Sequence, residues 1–167
     1  MKLYRFLIAA VAILLVGGIV FFAWCVHARM VKMEYEFEVD AVLAACSVAN
    51  GGEPVTDPAL AVISSFDGQR HVIVPGNYKA LSSWLRKDAA AVPSLFFRID
   101  RETALNIVFC NEARLWAEPR DNGDVVMVLL ETGGKAYYIR TDGGNQWKSL
   151  LGCATEGTYH DDNLPAE

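Results

Sequence analysis

Four carboxylates at alternate positions, Glu34, Glu36, Glu38 and Asp40, are the most unusual local feature of this 167-residue sequence. Read as a strand, residues 33–40 put Met33, Tyr35, Phe37 and Val39 on one face and the four acids on the other. Alternate residues on a strand face stand about 6.6 Å apart, too far for one compact calcium cage but suited to a basic partner strand or surface. The plainer reading of the same row is a solvated face that discourages edge-to-edge aggregation.

Cysteine and histidine could supply metal or redox chemistry. Cys25 lies within an apolar run, and Cys46, Cys110 and Cys153 lie beyond it. Three thiols cannot all pair with one another, so an oxidising compartment allows one disulfide among Cys46, Cys110 and Cys153 and leaves one thiol. There is no CxxC, the spacing a thioredoxin-like centre or zinc ribbon requires. The histidines are His27, His71 and His160, and only His71 falls inside an expected strand. Nothing in their spacing asks for a metal, and no metal or cofactor is expected. None of the seven serines lies in GxSxG or SxxK, so a hydrolase would rest on His71 and a serine brought near by the fold. Gly133-Gly134 and Gly143-Gly144 are turn glycines without the pattern of a phosphate loop. Trp116, Tyr137, Tyr138 and Trp147 offer a binding patch or, more commonly, core filling.

The elements that must position these residues begin with an anchor. Phe6 to Val26 carries no charge and no proline. As a helix its 21 residues reach about 31 Å, the thickness of a hydrocarbon core. Trp24 suits the interfacial belt. A signal peptide cut after Val26-His27-Ala28 is the main alternative, but the run exceeds the usual signal core of about 7–15 residues, which favours an uncleaved anchor. Trp24 stands where a lipoprotein signal needs a small residue. Lys2 and Arg5 before the span and Arg29 and Lys32 after it nearly balance. First spans with short basic tails usually export the chain beyond them, so the domain is expected on the extracytoplasmic side, periplasmic or cell-surface.

Residues 33–167 carry 20 acids against 11 bases, a net of nine negative charges. Such a domain repels phosphate backbones, which argues against nucleic acid and leaves the membrane and a basic protein as expected partners. Hairpins are expected at Leu60–Phe66 with Gln69–Val74 across Asp67-Gly68, at Arg114–Arg120 with Asp124–Leu130 across Asp121-Asn122-Gly123, and at Val126–Glu131 with Lys135–Thr141 across Gly133-Gly134. Tyr78, Leu81, Trp84 and Leu85 mark a helix capped by Asn77, and 51–58 a loop. Leu95–Ile99 and Leu105–Phe109 read as a strand pair, Val125–Leu130 as a central strand covered on both faces, and Gln146–Leu151 as a short helix.

The fold expected is α+β: an N-terminal transmembrane helix followed by one small domain with a mostly antiparallel β-sheet and one or two packed helices. Its divisions are a basic tail at 1–5, an anchor at 6–26, a juxtamembrane linker at 27–32, the domain at 33–156 and a polar tail at 157–167. The function expected is a non-catalytic protein-interaction domain, an accessory subunit or an inhibitor or immunity-type protein, with Glu34, Glu36, Glu38 and Asp40 receiving the partner. A membrane-tethered hydrolase using His71, or a small-ligand sensor, are the alternatives.

Overall fold

The computed structural model describes residues 2–49, 62–87, 90–91, 98–155 and 159–160. Its first element, α1 (Lys2–Ala49), is a single helix of 48 residues. It includes a stretch long and apolar enough to cross a membrane, one that would equally fit a signal sequence. From Leu7 to Met30 its large apolar side chains are exposed on every side.

The same helix runs on through 27–32 and through 33–40, so the strand expected for the acidic row is corrected to helix. Buried Tyr35, Val39, Val42, Leu43 and Cys46 recur at helical spacing, while Met33 and Phe37, their supposed strand companions, are 62% and 74% exposed. Helix formation is cooperative, and the preceding span supplies the nucleus. Once begun, the helix continues through Met, Glu and Ala, which favour it, despite the local alternation.

The sheet is built from β1 (Ile63–Phe66), β2 (Gln69–Val72), β3 (Ala90–Ala91), β4 (Leu105–Val108), β5 (Arg114–Arg120), β6 (Val125–Thr132), β7 (Lys135–Asp142) and β8 (Tyr159–His160). The order is β3-β7-β6-β5-β4-β1-β2-β8 and every pairing is antiparallel. Six strands form the body, and the two-residue β3 and β8 close its edges. The three expected hairpins are present. Asp67 and Gly68 take φ of 51° and 74°, the doubly positive pair that a two-residue turn needs.

Of the expected strand at Leu95–Ile99, residues 95–97 lie outside the described residues, and Arg98 and Ile99 are not in a strand. Instead β4 pairs with β1 and β5. The loop expected at 51–58 also lies outside the described residues. In the region read as a polar tail, residues 159–160 pair with β2, with Val72 opposite Tyr159.

One sheet face carries three helices: α1, α2 (Pro75–Lys87) and α3 (Gln146–Ala154). Instead of a cap at Asn77, α2 begins at Pro75, and its first hydrogen bond runs from Tyr78 N–H to the Val74 carbonyl at 2.9 Å. Proline suits this first turn because its missing N–H has no partner there anyway. The stripe Tyr78, Leu81, Trp84 and Leu85 is buried as the periodicity requires.

The sheet's helix-covered face shows regular rows. Ile107, Leu115, Leu130 and Tyr137 form one, and Leu105, Ala117, Val128 and Ile139 the next. These join the helical stripes in one core. Met127 and Leu129 point the other way, into a second cluster with Ile99, Ala104 and Trp116, so β6 is covered on both faces. The turn at 98–104 forms that cover. Asp100 holds it by accepting from Glu102 N–H and Thr103 Oγ1, both at 3.1 Å, while the Arg101 guanidinium lies 4.4 Å from the Trp116 ring centre.

Cys46 of α1 and Cys110 of the β4–β5 loop form a disulfide with Cα atoms 5.7 Å apart and a sequence separation of 64. Cys25 and Cys153 are free. By loop-closure entropy a bridge across a segment of this size stabilises by about 4 kcal/mol. Cys46→Ala with Cys110→Ala should therefore lower the unfolding free energy by roughly 2–4 kcal/mol in urea titration. Reducing agent should weaken the parent chain similarly and leave the variant unchanged.

Candidate functional site

The acidic row lies on α1 where that helix packs against α2 and β7. A helix turns about 100° per residue, so the acidic row divides into two pairs, Glu34 with Glu38 and Glu36 with Asp40. They flank the buried stripe of Tyr35, Val39 and Leu43 instead of forming one ladder.

Three of the four acids meet cations of this chain. Asp40 Oδ1 accepts from Arg86 Nε at 2.8 Å, Glu36 lies 3.7 Å from Lys32 Nζ, and Glu34 lies 4.0 Å from Lys135 Nζ. All six side chains are more than half exposed, so each pair contributes under about 1 kcal/mol and exchanges readily with solvent or another cation. Glu38 is half-buried; burial chiefly raises the Tyr137 phenol above its ordinary value, Lys135 opposes that rise, and Glu38 and Glu34 add to it. The row brings no compact ligand cage together, and among the described residues there is no group of acids, histidines and cysteines arranged to hold a metal.

The firmer contacts lie between these pairs. Tyr35 Oη donates to the Leu85 carbonyl at 3.1 Å, and Tyr78 Oη donates to the Leu43 carbonyl at 2.7 Å. Each helix thus offers a phenol to the other's backbone. Leu85 is in the last turn of α2, where carbonyls lack intrahelical partners, so Tyr35 also caps that helix end. The Tyr35 and Tyr137 rings meet at a centroid distance of 6.2 Å, which seats α1 on β7. Trp84 Nε1 donates to Gln146 Oε1 at 2.8 Å and ties α2 to α3.

Beside the tyrosines runs a groove of about 540 Å³ lined by Lys32, Tyr35, Glu36, Val39, Asp40, Ala44, Leu85 and Arg86. It has an apolar floor and charged walls, and it starts at the helical turn just past the apolar run.

The residues considered for catalysis lie elsewhere. His71 stands opposite Ser64 in the β1–β2 pair, a serine–histidine neighbourhood that strand register alone could have revealed. Ser64 is fully buried, however, and its hydroxyl donates to the Ala154 carbonyl at 2.5 Å. That hydrogen bond fixes the end of α3 to the sheet and turns the hydroxyl away from a nucleophile's role. Burial pushes the Cys153 thiol above its ordinary pKa, which lowers its thiolate fraction at neutral pH. Trp116 and Tyr138 lie on the outer sheet face and Tyr137 and Trp147 on the helix side, so the four aromatics form no single patch.

The Tyr78 phenol titrates above its ordinary value, chiefly through burial, against the lowering effects of the Ser82 hydrogen bond and Arg86. The folded chain therefore holds this proton more tightly than the unfolded chain. Stability conferred by the protonated phenol is complete below pH 10.0 and declines as pH rises through the folded pKa. Tyr78→Phe should cost about 1 kcal/mol at neutral pH, for the lost bond to Leu43, and should flatten the alkaline fall in stability. Urea titrations across pH would show an unchanged alkaline slope if Tyr78 plays no part.

Compared with known proteins, the chain matches no family model, no curated protein and no solved structure.

Proposed function

We propose that this chain is a single-pass membrane protein whose α1 spans the bilayer at residues 6–26 and carries a non-catalytic interaction domain at the extracytoplasmic face. The observation that carries the reading is the unbroken passage of α1 from an all-round apolar half into the wall of a folded core. A soluble helix buries one stripe and leaves the rest polar; apolar character on every side over this length suits lipid. The disulfide between Cys46 and Cys110 accords with an oxidising compartment.

An accessory subunit, or an inhibitor or immunity-type protein, fits a small acidic domain in which Ser64, beside His71, is buried and bonded to the Ala154 carbonyl. Its partner would be basic, and Glu34, Glu36, Glu38 and Asp40 would receive it by exchanging their weak internal cations for the partner's. The long-range field of the acidic domain would speed that encounter.

Alkaline-carbonate extraction combined with the mass of the mature chain tests the anchor. The full-length chain should remain in the membrane pellet. A soluble chain beginning near Arg29 would show that the apolar run is a removed signal.

Co-isolation from native membranes tests the interaction. A basic protein should accompany the full-length chain. Replacing the four acids by Gln and Asn should weaken that association at low ionic strength, with a smaller difference between variant and parent in high salt. Equal retention by variant and parent at low salt would remove the acidic row from the interface.

A further inference from the structure

The way α1 crosses the sheet sets how the domain stands on the membrane. Near its start in the core, Glu34 lies beside Lys135 at 4.0 Å and Tyr35 beside Tyr137, both partners on β7. Near its end, Cys46 is bonded to Cys110, just past β4. From Glu34 to Cys46 the helix rises about 18 Å, and from β7 to β4 is three strand spacings, about 14 Å. Helix rise and strand order therefore advance together, so α1 runs across the strands and not along them.

The apolar run ends at Val26, and Glu34 lies about 12 Å further along the axis. On the membrane side of β7 stands β3, one spacing of about 5 Å nearer, and α1 touches it. That places β3 about 7 Å from the hydrocarbon boundary, within reach of a headgroup layer about 5–7 Å thick.

Resting on the anchor reading above, we propose that the sheet stands on edge over the bilayer, with the β3–β7 edge against phospholipid headgroups and the β2–β8 edge turned away. Charge near the apolar run suits this partner: Arg29 and Lys32 lie about 5 and 9 Å past Val26 along the axis, low enough for their long side chains to reach lipid phosphate. A soluble partner then meets the β1–β2 hairpin first, while a neighbouring membrane protein meets the flanks, where the acids of α1 lie.

The test uses the full-length chain in phosphatidylcholine vesicles, with Cys25→Ser and Cys153→Ser and the native disulfide kept. A donor dye is attached through Ala136→Cys on β7 or Gln69→Cys on β2, both exposed positions, and energy transfer to a headgroup-labelled lipid gives each height. The β7 position should lie nearer the headgroups by roughly 20 Å, allowing for twist across five spacings. Heights equal within about 5 Å, or in reversed order, would overturn the proposed posture while vesicle flotation of the protein left the anchor standing. A chain that fails to float with the vesicles would overturn both.

Discussion

An uninterrupted backbone joins the part of α1 that suits lipid to the part that walls the core. No glycine, proline or change of helix type intervenes between Val26 and Tyr35, so nothing there can act as a hinge. A flexible tether would let the domain turn freely relative to the apolar segment. A continuous helix transmits rotation and tilt, provided that its upper half is firmly held.

That hold comes from several modest contacts and one covalent bond. The stripe from Tyr35 to Cys46 buries apolar surface against α2 and the sheet, worth about 1.5–3 kcal/mol for each large side chain. Two phenols add directional bonds to the backbone of the facing helix. The ion pairs around them are exposed and weak, so they orient more than they stabilise. The disulfide differs in kind, because it ties the far end of α1 to a loop of the sheet. Without it, the buried stripe and phenols still seat α1, but separation of that end no longer requires a bond to break.

How much of this was legible in the sequence depended on whether the deciding interaction was local. Turn chemistry at Asp67-Gly68, Asp121-Asn122-Gly123 and Gly133-Gly134 acts over a few residues, and those hairpins result from it. The helical stripe of α2 and the two-sided burial of β6 also show directly in the pattern of apolar residues. Residues 33–40 misled because two periods overlap there. Met33, Tyr35, Phe37 and Val39 alternate, yet Tyr35, Val39, Val42 and Cys46 also fit a helix. The longer window, including the span before it, decides the matter through cooperativity. The cysteine pairing was not legible because it depends on where the end of α1 meets the β4–β5 loop. The Ser64–His71 register was legible once the first hairpin was fixed, whereas the burial of Ser64 beneath α3 was not.

Correcting strand to helix changes what the carboxylates can do. On a strand face they would form one straight row ready for a partner strand. On α1 they split into two pairs on either side of a buried stripe, and three are met by cations from α1, α2 and β7. A partner arriving there gains only the difference between its own cations and those it displaces. Such exchange is weakly favourable per contact in water, so affinity would have to come from apolar area, and charge would govern approach and orientation. Exposed Phe37, on the same helix between the two acid pairs, is the side chain best placed to supply that area. The rigid attachment of α1 strengthens the argument, because a surface held in one orientation loses less freedom on binding than one on a flexible tether.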